Sequence, residues 1–190
     1  CRRYNDKVYS FPFAVNFDDF ERARLKGNTI PDELRAIKPP VIGYVGGVHK
    51  WIDQELIKKA AEKYREFSFV FIGPLQTNVS LLTGLENIYF LGKKDHHEIP
   101  FFVKHFDVCM IPYLITDYTR NVYPTKMNEY LAMAKPVVST NLPEVTAFNE
   151  EYGDIIYVAD DKESFSGQIG RAIRDNGQVL KDRRIAIAKE

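Results

Sequence analysis

The sequence lacks several features that would each indicate a distinct class of protein. Its 190 residues contain only two cysteines, Cys1 and Cys109. Two thiols are too few for a disulfide scaffold, and Cys109 lies in an apolar run, so we expect a buried free thiol in a reducing compartment. Lys and Arg together number 26, as do Asp and Glu. This balance gives no basic field for nucleic acid, and we expect no nucleic-acid partner.

Long apolar runs and familiar catalytic motifs are also missing. No run approaches the roughly 20 residues of a membrane helix. We find no P-loop, no Ser-His-Asp or Cys-His arrangement and no G-x-G-x-x-G fingerprint, so the catalytic residues stay unknown. The adjacent His96 and His97 are interpreted as solvated surface, and we expect no metal site. The chain does not begin with Met, so we expect a fragment or an excised domain, and the few cysteines favour a cytoplasmic location.

Short apolar segments alternate with amphipathic ones along most of the chain. Strands are predicted at 41–46, 67–73, 87–92, 107–113, 136–140 and 154–160. Helices are predicted at 51–65, 96–105, 124–134, 143–148, from 162 onward and at 178–190. This alternation predicts an α/β fold, a Rossmann-like doubly wound parallel sheet with helices on both faces.

Three segments are predicted. Residues 1–40 carry aromatics without clean periodicity and end in a Pro-Pro pair, which indicates an interdomain linker or leader. Residues 41–176 form the Rossmann-like domain, and residues 177–190 form a carboxy-terminal helix.

Ligands of such folds bind beyond the carboxyl ends of the strands. The glycine turn Gly46-Gly47 follows the first strand, with Lys50 shortly after it. Gly92 and Lys93 follow the third strand. Glycines allow close backbone approach to a phosphate, although an ordinary turn explains the pattern equally well.

A second constellation follows the fourth strand. Pro124 suits the first helical position, which would leave the N–H groups of Thr125, Lys126 and Met127 unpaired at a positive helix end. Lys126 and Glu129 share a helix face, where a lysine can neutralise phosphate and a carboxylate can accept ribose hydroxyls. By themselves these residues fit a surface ion pair as well. Tyr113, Tyr118 and Tyr123 flank the preceding loop, where they either line a sugar pocket or simply pack the loop.

The run PTKMNEYLAMAKPVVST resembles the signature of retaining glycosyltransferases with the GT-B fold, a group that includes capsule and lipopolysaccharide transferases. Similarity to their carboxy-terminal, donor-binding domains extends from about residue 11 to residue 175. It includes the loosely matching FPFAVNFDDF, VIGYVGGVHKWIDQELI and NIYFLGKKDHHEIPFFVKHFDVCMIPY.

The resemblance implies a role for each matching residue. Glu129 would hold the donor ribose, and Lys50 would face the diphosphate above the Gly46-Gly47 turn. Lys126 matches a basic position of the motif, and the backbone of Tyr123, Pro124 and Thr125 would face phosphate and sugar. The Gly92-Lys93 pair would lie near the base.

Three positions depart from the family pattern. Asn121 stands where the first glutamate of the family's pair is usual, Gly47 stands where an arginine is usual, and Ala134 stands where glycine is usual. A sugar-binding carboxylate and one positive phosphate ligand are therefore missing, although Asn121 can still hydrogen-bond a hydroxyl.

These features predict the donor-binding domain of a glycosyltransferase that moves a sugar from a UDP- or GDP-linked donor to a glycan or lipid-linked acceptor, in surface polysaccharide synthesis. No cofactor is expected. An amino-terminal acceptor-binding domain is the expected partner, and attachment of the parent protein to the inner membrane face is left open. The isolated fragment is expected to be inactive. Two alternatives remain: a sugar-nucleotide epimerase of GT-B fold, and a degenerate binding or scaffold module.

Overall fold

One parallel sheet organises the protein. The computed structural model describes Lys7, residues 13–27 and residues 29–190. Six strands pair in the order β3-β2-β1-β4-β5-β6, all parallel. Their bounds are β1 Val41–Val45, β2 Ser68–Ile72, β3 Ile88–Phe90, β4 Val108–Ile111, β5 Val137–Thr140 and β6 Tyr157–Ala159. The predicted doubly wound parallel sheet is confirmed.

Seven α-helices lie among the described residues. They are α1 Phe17–Leu25, α2 Gln54–Lys63, α3 Ile99–Lys104, α4 Lys126–Ala132, α5 Pro143–Tyr152, α6 Lys162–Arg174 and α7 Gln178–Lys189. The strands β2, β4 and β5 are buried along their whole length, while the edge strands β3 and β6 are half-buried. Continuous apolar runs therefore predicted the inner strands well, because both faces of a parallel sheet are covered.

The direction of chain winding reverses between β1 and β4. The chain adds β2 and β3 on one side of β1, then returns to place β4, β5 and β6 on the other side. A crevice opens at such a reversal, outside the carboxyl ends of the two strands. The fold thus predicts a ligand site at the carboxyl-end edge of β1 and β4.

Helix α2 begins three residues later than the sequence pattern predicted. Asp53 caps the helix, because its Oδ1 accepts the N–H of Leu56 at 2.9 Å. The residues before it pair instead with the chain after β4: Ile52 bridges Tyr113, and the Leu114 N–H donates to the Trp51 carbonyl at 2.8 Å. This pairing holds the turn after β1 against the loop after β4.

Part of the predicted linker is helical. Helix α1 buries Phe20 and Ala23, and it packs against α3. The ammonium of Lys104 in α3 donates to the carbonyls of Ala23 and Lys26, at 3.1 and 2.5 Å. Residues 1–12, apart from Lys7, lie outside the described residues, as does the start of the FPFAVNFDDF match. The predicted helix at 178–190 matches α7, which packs against α4.

The departure at Ala134 is explained by the end of α4. Ala134 has φ 60°, in the left-handed region. Its N–H donates to Leu131 at 2.8 Å, and the next N–H, of Lys135, donates to Tyr130 at 2.9 Å. This pair of bonds is the Schellman termination, in which glycine is the usual residue because it has no Cβ. Ala134 therefore departs from the family at a structural position.

Among the described residues, none of the helices is long and apolar enough to span a membrane.

Candidate donor-binding site

Three glycine turns meet at the carboxyl-end edge of β1, β2 and β3. Gly46 has φ 133° and Gly73 has φ 145°. The Gly46 N–H donates to Ile72 at 2.8 Å, and the Gly73 N–H donates to Gly92 at 2.8 Å. A Cβ on Gly73 would lie 2.1 Å from the Gly46 carbonyl oxygen, so only glycine permits this approach. These turns therefore converge on one edge of the sheet.

Lys126 lies directly above the first of these turns. Its Cε and Nζ are 3.3 and 3.5 Å from the position a Cβ would take on Gly46. The ammonium donates to the Tyr113 hydroxyl at 2.5 Å and lies 5.2 Å from the centre of the Tyr44 ring. Among the described residues, no carboxylate oxygen lies within 4.0 Å of it. A positive charge therefore faces the glycine turn without a neutralising partner.

The start of α4 differs from the predicted one. The helix begins at Lys126 after the cap residue Thr125, so Pro124 lies outside it. The Met127 N–H donates to the Pro124 carbonyl at 2.8 Å. The expectation that this N–H is unpaired is therefore wrong, because the turn before the helix supplies an acceptor. The Lys126 ammonium supplies a positive charge at this edge in addition to the helix start.

Glu129 lies one turn further along α4 and is half-buried. Burial raises the pKa of its carboxyl group above the usual value, and the charges of His96 and Lys126 oppose that rise. Glu129 therefore lies close to both groups. His96 comes from the loop between β3 and α3, and it is exposed, which confirms the predicted surface position.

Two buried tyrosines fix α4 and the glycine turn to β1. The Tyr130 hydroxyl, fully buried, accepts the N–H of Val45 at 2.9 Å. The Tyr44 hydroxyl donates to the carbonyl of Gly47 at 3.2 Å. Because Tyr130 lies next to Glu129 in the helix, this bond sets the distance between the Glu129–Lys126 face and the end of β1.

The space beside Gly47 is already occupied. A Cβ on Gly47 would lie 2.2 Å from Gln76 Oε1 and 3.0 Å from His49 Nε2. The arginine that the family usually has here would require the Gln76 and His49 side chains to move. Lys50 and Lys93, expected near the phosphates and the base, are exposed at the same edge.

The loop before α4 carries two predicted site residues, Asn121 and Tyr123, and both side chains are hydrogen-bonded within the protein. Asn121 is exposed in the 3₁₀ turn Thr119–Asn121, and its Nδ2 donates to the Asp117 carbonyl at 2.8 Å. The Tyr123 hydroxyl donates to Asn128 Oδ1 at 2.8 Å, and its ring stacks on Phe13 at 5.3 Å. The side chain of Tyr123 thus contacts the segment before α1, which leaves its backbone as the group it can offer to the ligand edge.

Aromatic rings line the edge beyond Gly47. The rings of His49 and Trp51 stack with centroids 3.9 Å apart, and Trp51 lies 5.4 Å from Tyr118. Sequence reasoning left Tyr118 open between sugar binding and packing, and it did not consider His49 or Trp51 as aromatic contacts. No local pattern joins them, because Tyr118 comes from the loop after β4.

One group of potential metal ligands lies elsewhere in the described chain. Asp95, His97 and Glu98 bring ligand atoms within 4.8 Å of one another at the start of α3. The Asp95 N–H donates to Glu98 Oε2 at 3.0 Å, which is the bonding expected of a carboxylate near a helix start. Asp95 and His97 are exposed, and we assign the group no metal.

The reversed sheet with its glycine turns defines the class of protein, a doubly wound α/β domain of Rossmann type. The family model described as "Glycosyl transferases group 1" matches residues 39–175, and the chain belongs to this family. It is 31% identical over 191 residues to the "Putative teichuronic acid biosynthesis glycosyltransferase TuaH" of Bacillus subtilis (strain 168), covering 97% of this chain and 47% of that protein.

Solved structures share the fold. HepE of Anabaena, in complex with UDP and glucose, has a TM-score of 0.66 at 17% identity, covering 93% of this chain and 50% of that one. A glycosyltransferase from Rickettsia africae has a TM-score of 0.68 at 18% identity, covering 97% and 52%. The chain thus spans about half the length of the proteins it matches. These findings confirm the predicted carboxy-terminal, Rossmann-like half of a GT-B fold.

Proposed function

We propose that the protein binds a nucleoside diphosphate sugar at the carboxyl-end edge of its sheet, as the donor-binding half of a glycosyltransferase. The parent enzyme would transfer the sugar to a glycan or lipid-linked acceptor in surface polysaccharide synthesis. An amino-terminal domain would supply the acceptor site.

The position of Lys126 above Gly46 is the observation that carries this proposal. A diphosphate bound on the glycine turn would meet an ammonium group that has no carboxylate partner among the described residues. Charge-assisted bonds of this kind are about twice as strong as neutral ones. The same positive charge would stabilise the diphosphate as it leaves the sugar, which is why we propose that no metal or other cofactor is needed.

Glu129 adds a second point of recognition on the same face of α4. A carboxylate accepts two hydroxyl donors, which suits the paired 2′ and 3′ hydroxyls of a ribose. Gly92, Lys93 and the backbone of Tyr123 to Thr125 lie on the surrounding turns, and we propose that they contact the base, phosphates and sugar. The role that resemblance implies for Lys50, facing the diphosphate, is part of the same proposal.

The relatives support parts of this proposal. The Bacillus relative is named for teichuronic acid biosynthesis, and HepE was solved with UDP-glucose as well as with UDP and glucose. We therefore favour UDP over GDP as the nucleotide. The proposed site of action is the cytoplasm, with the parent enzyme at the inner membrane face during transfer to a lipid-linked acceptor.

Two alternatives have an observation in their favour. The proximity of His96 to Glu129 supplies two titratable groups of the kind that a sugar-nucleotide epimerase needs. An epimerase would convert the sugar nucleotide without an acceptor. The exposed Asn121, bonded to its own loop, favours a degenerate module without sugar transfer.

Calorimetric titration of the 190-residue chain with UDP, GDP and their sugars tests the proposal. We expect binding by the unmodified chain and a loss of roughly tenfold to a hundredfold in Lys126→Met, the factor that corresponds to one hydrogen bond to a charged group. We expect no sugar transfer by this chain alone.

The matched control is Lys181→Met, which removes the same charge near the opposite edge of the sheet. Equal losses in the two variants would show a general electrostatic attraction and contradict the site. Absence of binding by the unmodified chain would favour the degenerate module. Release of an epimerised sugar nucleotide would favour the epimerase.

A further inference from the structure

His49, Trp51 and Tyr118 form an aromatic shelf at the carboxyl-end edge of the sheet. The His49 and Trp51 rings are nearly parallel, with an interplanar angle of 26° and centroids 3.9 Å apart. Tyr118 extends the shelf at 5.4 Å from Trp51, and 62% of its surface is exposed. The other large aromatics at this end of β1, Tyr44 and Tyr113, are buried.

The shelf has a rigid base. Trp51 lies in the segment that pairs with the chain after β4: its carbonyl accepts the N–H of Leu114 at 2.8 Å, and the N–H of Asp53 donates to Pro112 at 2.8 Å. These bonds fix the Trp51 backbone against the start of the loop that carries Tyr118. Pre-organised groups of this kind bind a ligand without a large ordering cost.

The shelf adjoins the glycine turn that Lys126 covers. Glu129 and Lys126 are one turn apart on α4, and Lys126 lies 3.3 Å from the Cβ position of Gly46. At the neighbouring Gly47, the Cβ position lies 3.0 Å from His49 Nε2. The ammonium of Lys126 therefore adjoins the glycine turn, and the glycine turn adjoins the His49 end of the aromatic shelf.

A nucleoside diphosphate sugar has its parts in the order ribose, diphosphate and hexose. With the ribose at Glu129 and the diphosphate between Lys126 and the glycine turn, the next group of the ligand falls on the shelf. A pyranose ring has one face made of C–H groups and a rim of hydroxyls. The exposed ring of Tyr118 can cover the C–H face, while the indole N–H of Trp51 and the phenol remain able to bond hydroxyls.

We propose that His49, Trp51 and Tyr118 receive the hexose ring of the donor. This inference rests on the proposed function, since it places the sugar relative to the diphosphate site. It also accounts for the missing carboxylate at Asn121, because a stacked ring depends less on a charged group for its affinity.

Trp51 supplies the experiment, because it is the only tryptophan in the sequence. Its emission is followed while the chain is titrated with UDP, and separately with UDP-glucose. The same titrations are made on Tyr118→Ser and His49→Ala. Tyr152→Ser, at the end of α5 and outside the shelf, is the matched control.

We expect UDP-glucose to change the Trp51 emission more than UDP does, and to bind the unmodified chain more tightly than UDP. Tyr118→Ser and His49→Ala should each lower the affinity for UDP-glucose by roughly threefold to tenfold, the range of one aromatic contact. Their affinity for UDP should stay unchanged. Tyr152→Ser should match the unmodified chain with both ligands.

Three results would overturn the shelf as a sugar site while leaving the donor site intact. These are equal affinity of the unmodified chain for UDP and UDP-glucose, equal losses for both ligands in the shelf variants, and no loss for either. A chain that binds neither UDP, UDP-glucose, GDP nor GDP-mannose would overturn the proposed function as well.

Discussion

Charged side chains at the two ends of the strands differ in their hydrogen-bond partners. At the amino-end edge, charges are bonded to the main chain. Asp107, just before β4, accepts the N–H of Val41 at 2.7 Å, and Lys135, just before β5, donates to the Lys104 carbonyl at 2.6 Å. Arg184 of α7 donates to the Ala134 carbonyl at 3.4 Å.

At the carboxyl-end edge, the charges lie near one another and near a glycine turn. Lys126 bonds a tyrosine hydroxyl, and no carboxylate oxygen of the described residues lies within 4.0 Å of its ammonium. Glu129 is half-buried, with a raised pKa caused by burial. Charges held by backbone carbonyls and N–H groups stabilise the fold, whereas charges without such partners are available to a ligand. The amino-end edge is therefore structural, and the carboxyl-end edge is the candidate site.

The largest effect on stability is expected at the amino-end edge, from Asp107→Ala. The variant leaves the Val41 N–H without its acceptor, and it removes a negative charge that opposes the lowering of the Lys135 pKa by burial. We expect the free energy of unfolding to fall by about 2 kcal/mol and Tm to fall by roughly 4–8 °C. Thermal unfolding measures this.

The affinity of Asp107→Ala for UDP at temperatures where it is folded should equal that of the unmodified chain. Glu62→Ala, an exposed carboxylate on α2, is the control for simple loss of charge and should change Tm little. Weaker UDP binding by folded Asp107→Ala would show that the amino-end edge also contributes to ligand binding.

Glu129→Gln should separate stability from binding at the other edge. The pKa of Glu129 is raised in the folded chain, so ionisation of the carboxyl group costs stability; the cost is complete above the folded pKa and absent below the unfolded value near 4.5. The variant should therefore be more stable than the unmodified chain near pH 7, by a margin that shrinks as the pH falls toward about 4.5 and is absent below it.

The same substitution should weaken UDP binding by roughly tenfold or more, since an amide replaces a charged acceptor of ribose hydroxyls. Thermal unfolding between pH 4 and pH 8 and calorimetry at pH 7 measure the two effects, with Glu62→Gln as control. A variant that is less stable at pH 7 and binds UDP normally would assign Glu129 to the structural group.

Ala134→Gly should give the smallest effect, a gain in stability. Alanine at φ 60° is destabilised by about 1–2 kcal/mol in the left-handed region. Replacement by glycine removes this strain, but the greater flexibility of glycine in the unfolded chain offsets part of the gain. We expect a net gain of about 1 kcal/mol and a Tm rise of roughly 2–4 °C, without a change in UDP affinity.

Ala147→Gly on the exposed face of α5 is the matched control, and it should lose about 1 kcal/mol because glycine is a poor helix former. If both variants lost stability, the left-handed conformation at Ala134 would carry no strain. A change in UDP affinity would show that Ala134 affects ligand binding as well as stability.

Sequence reasoning predicted each kind of element with different success. The buried strands were found because parallel strands covered on both faces appear as continuous apolar runs, as in β2 and β4. Helix α1 was missed, because its helical pattern was hidden among irregular aromatics and because its stability comes from packing on α3. The start of α2 was placed too early, since Ile52 is drawn into pairing with Tyr113.

The candidate site also combines features that local sequence determines with features that depend on tertiary packing. The sequence by itself determined that Lys126 and Glu129 share a helix face and that Gly46 opens a turn after the first strand, because these are matters of spacing within one element. Only the tertiary structure decided that Lys126 lies over Gly46, that His96 lies near Glu129, and that Tyr118 meets Trp51. Each of these contacts joins segments that follow different strands, and it is the parallel sheet that brings their carboxyl ends together.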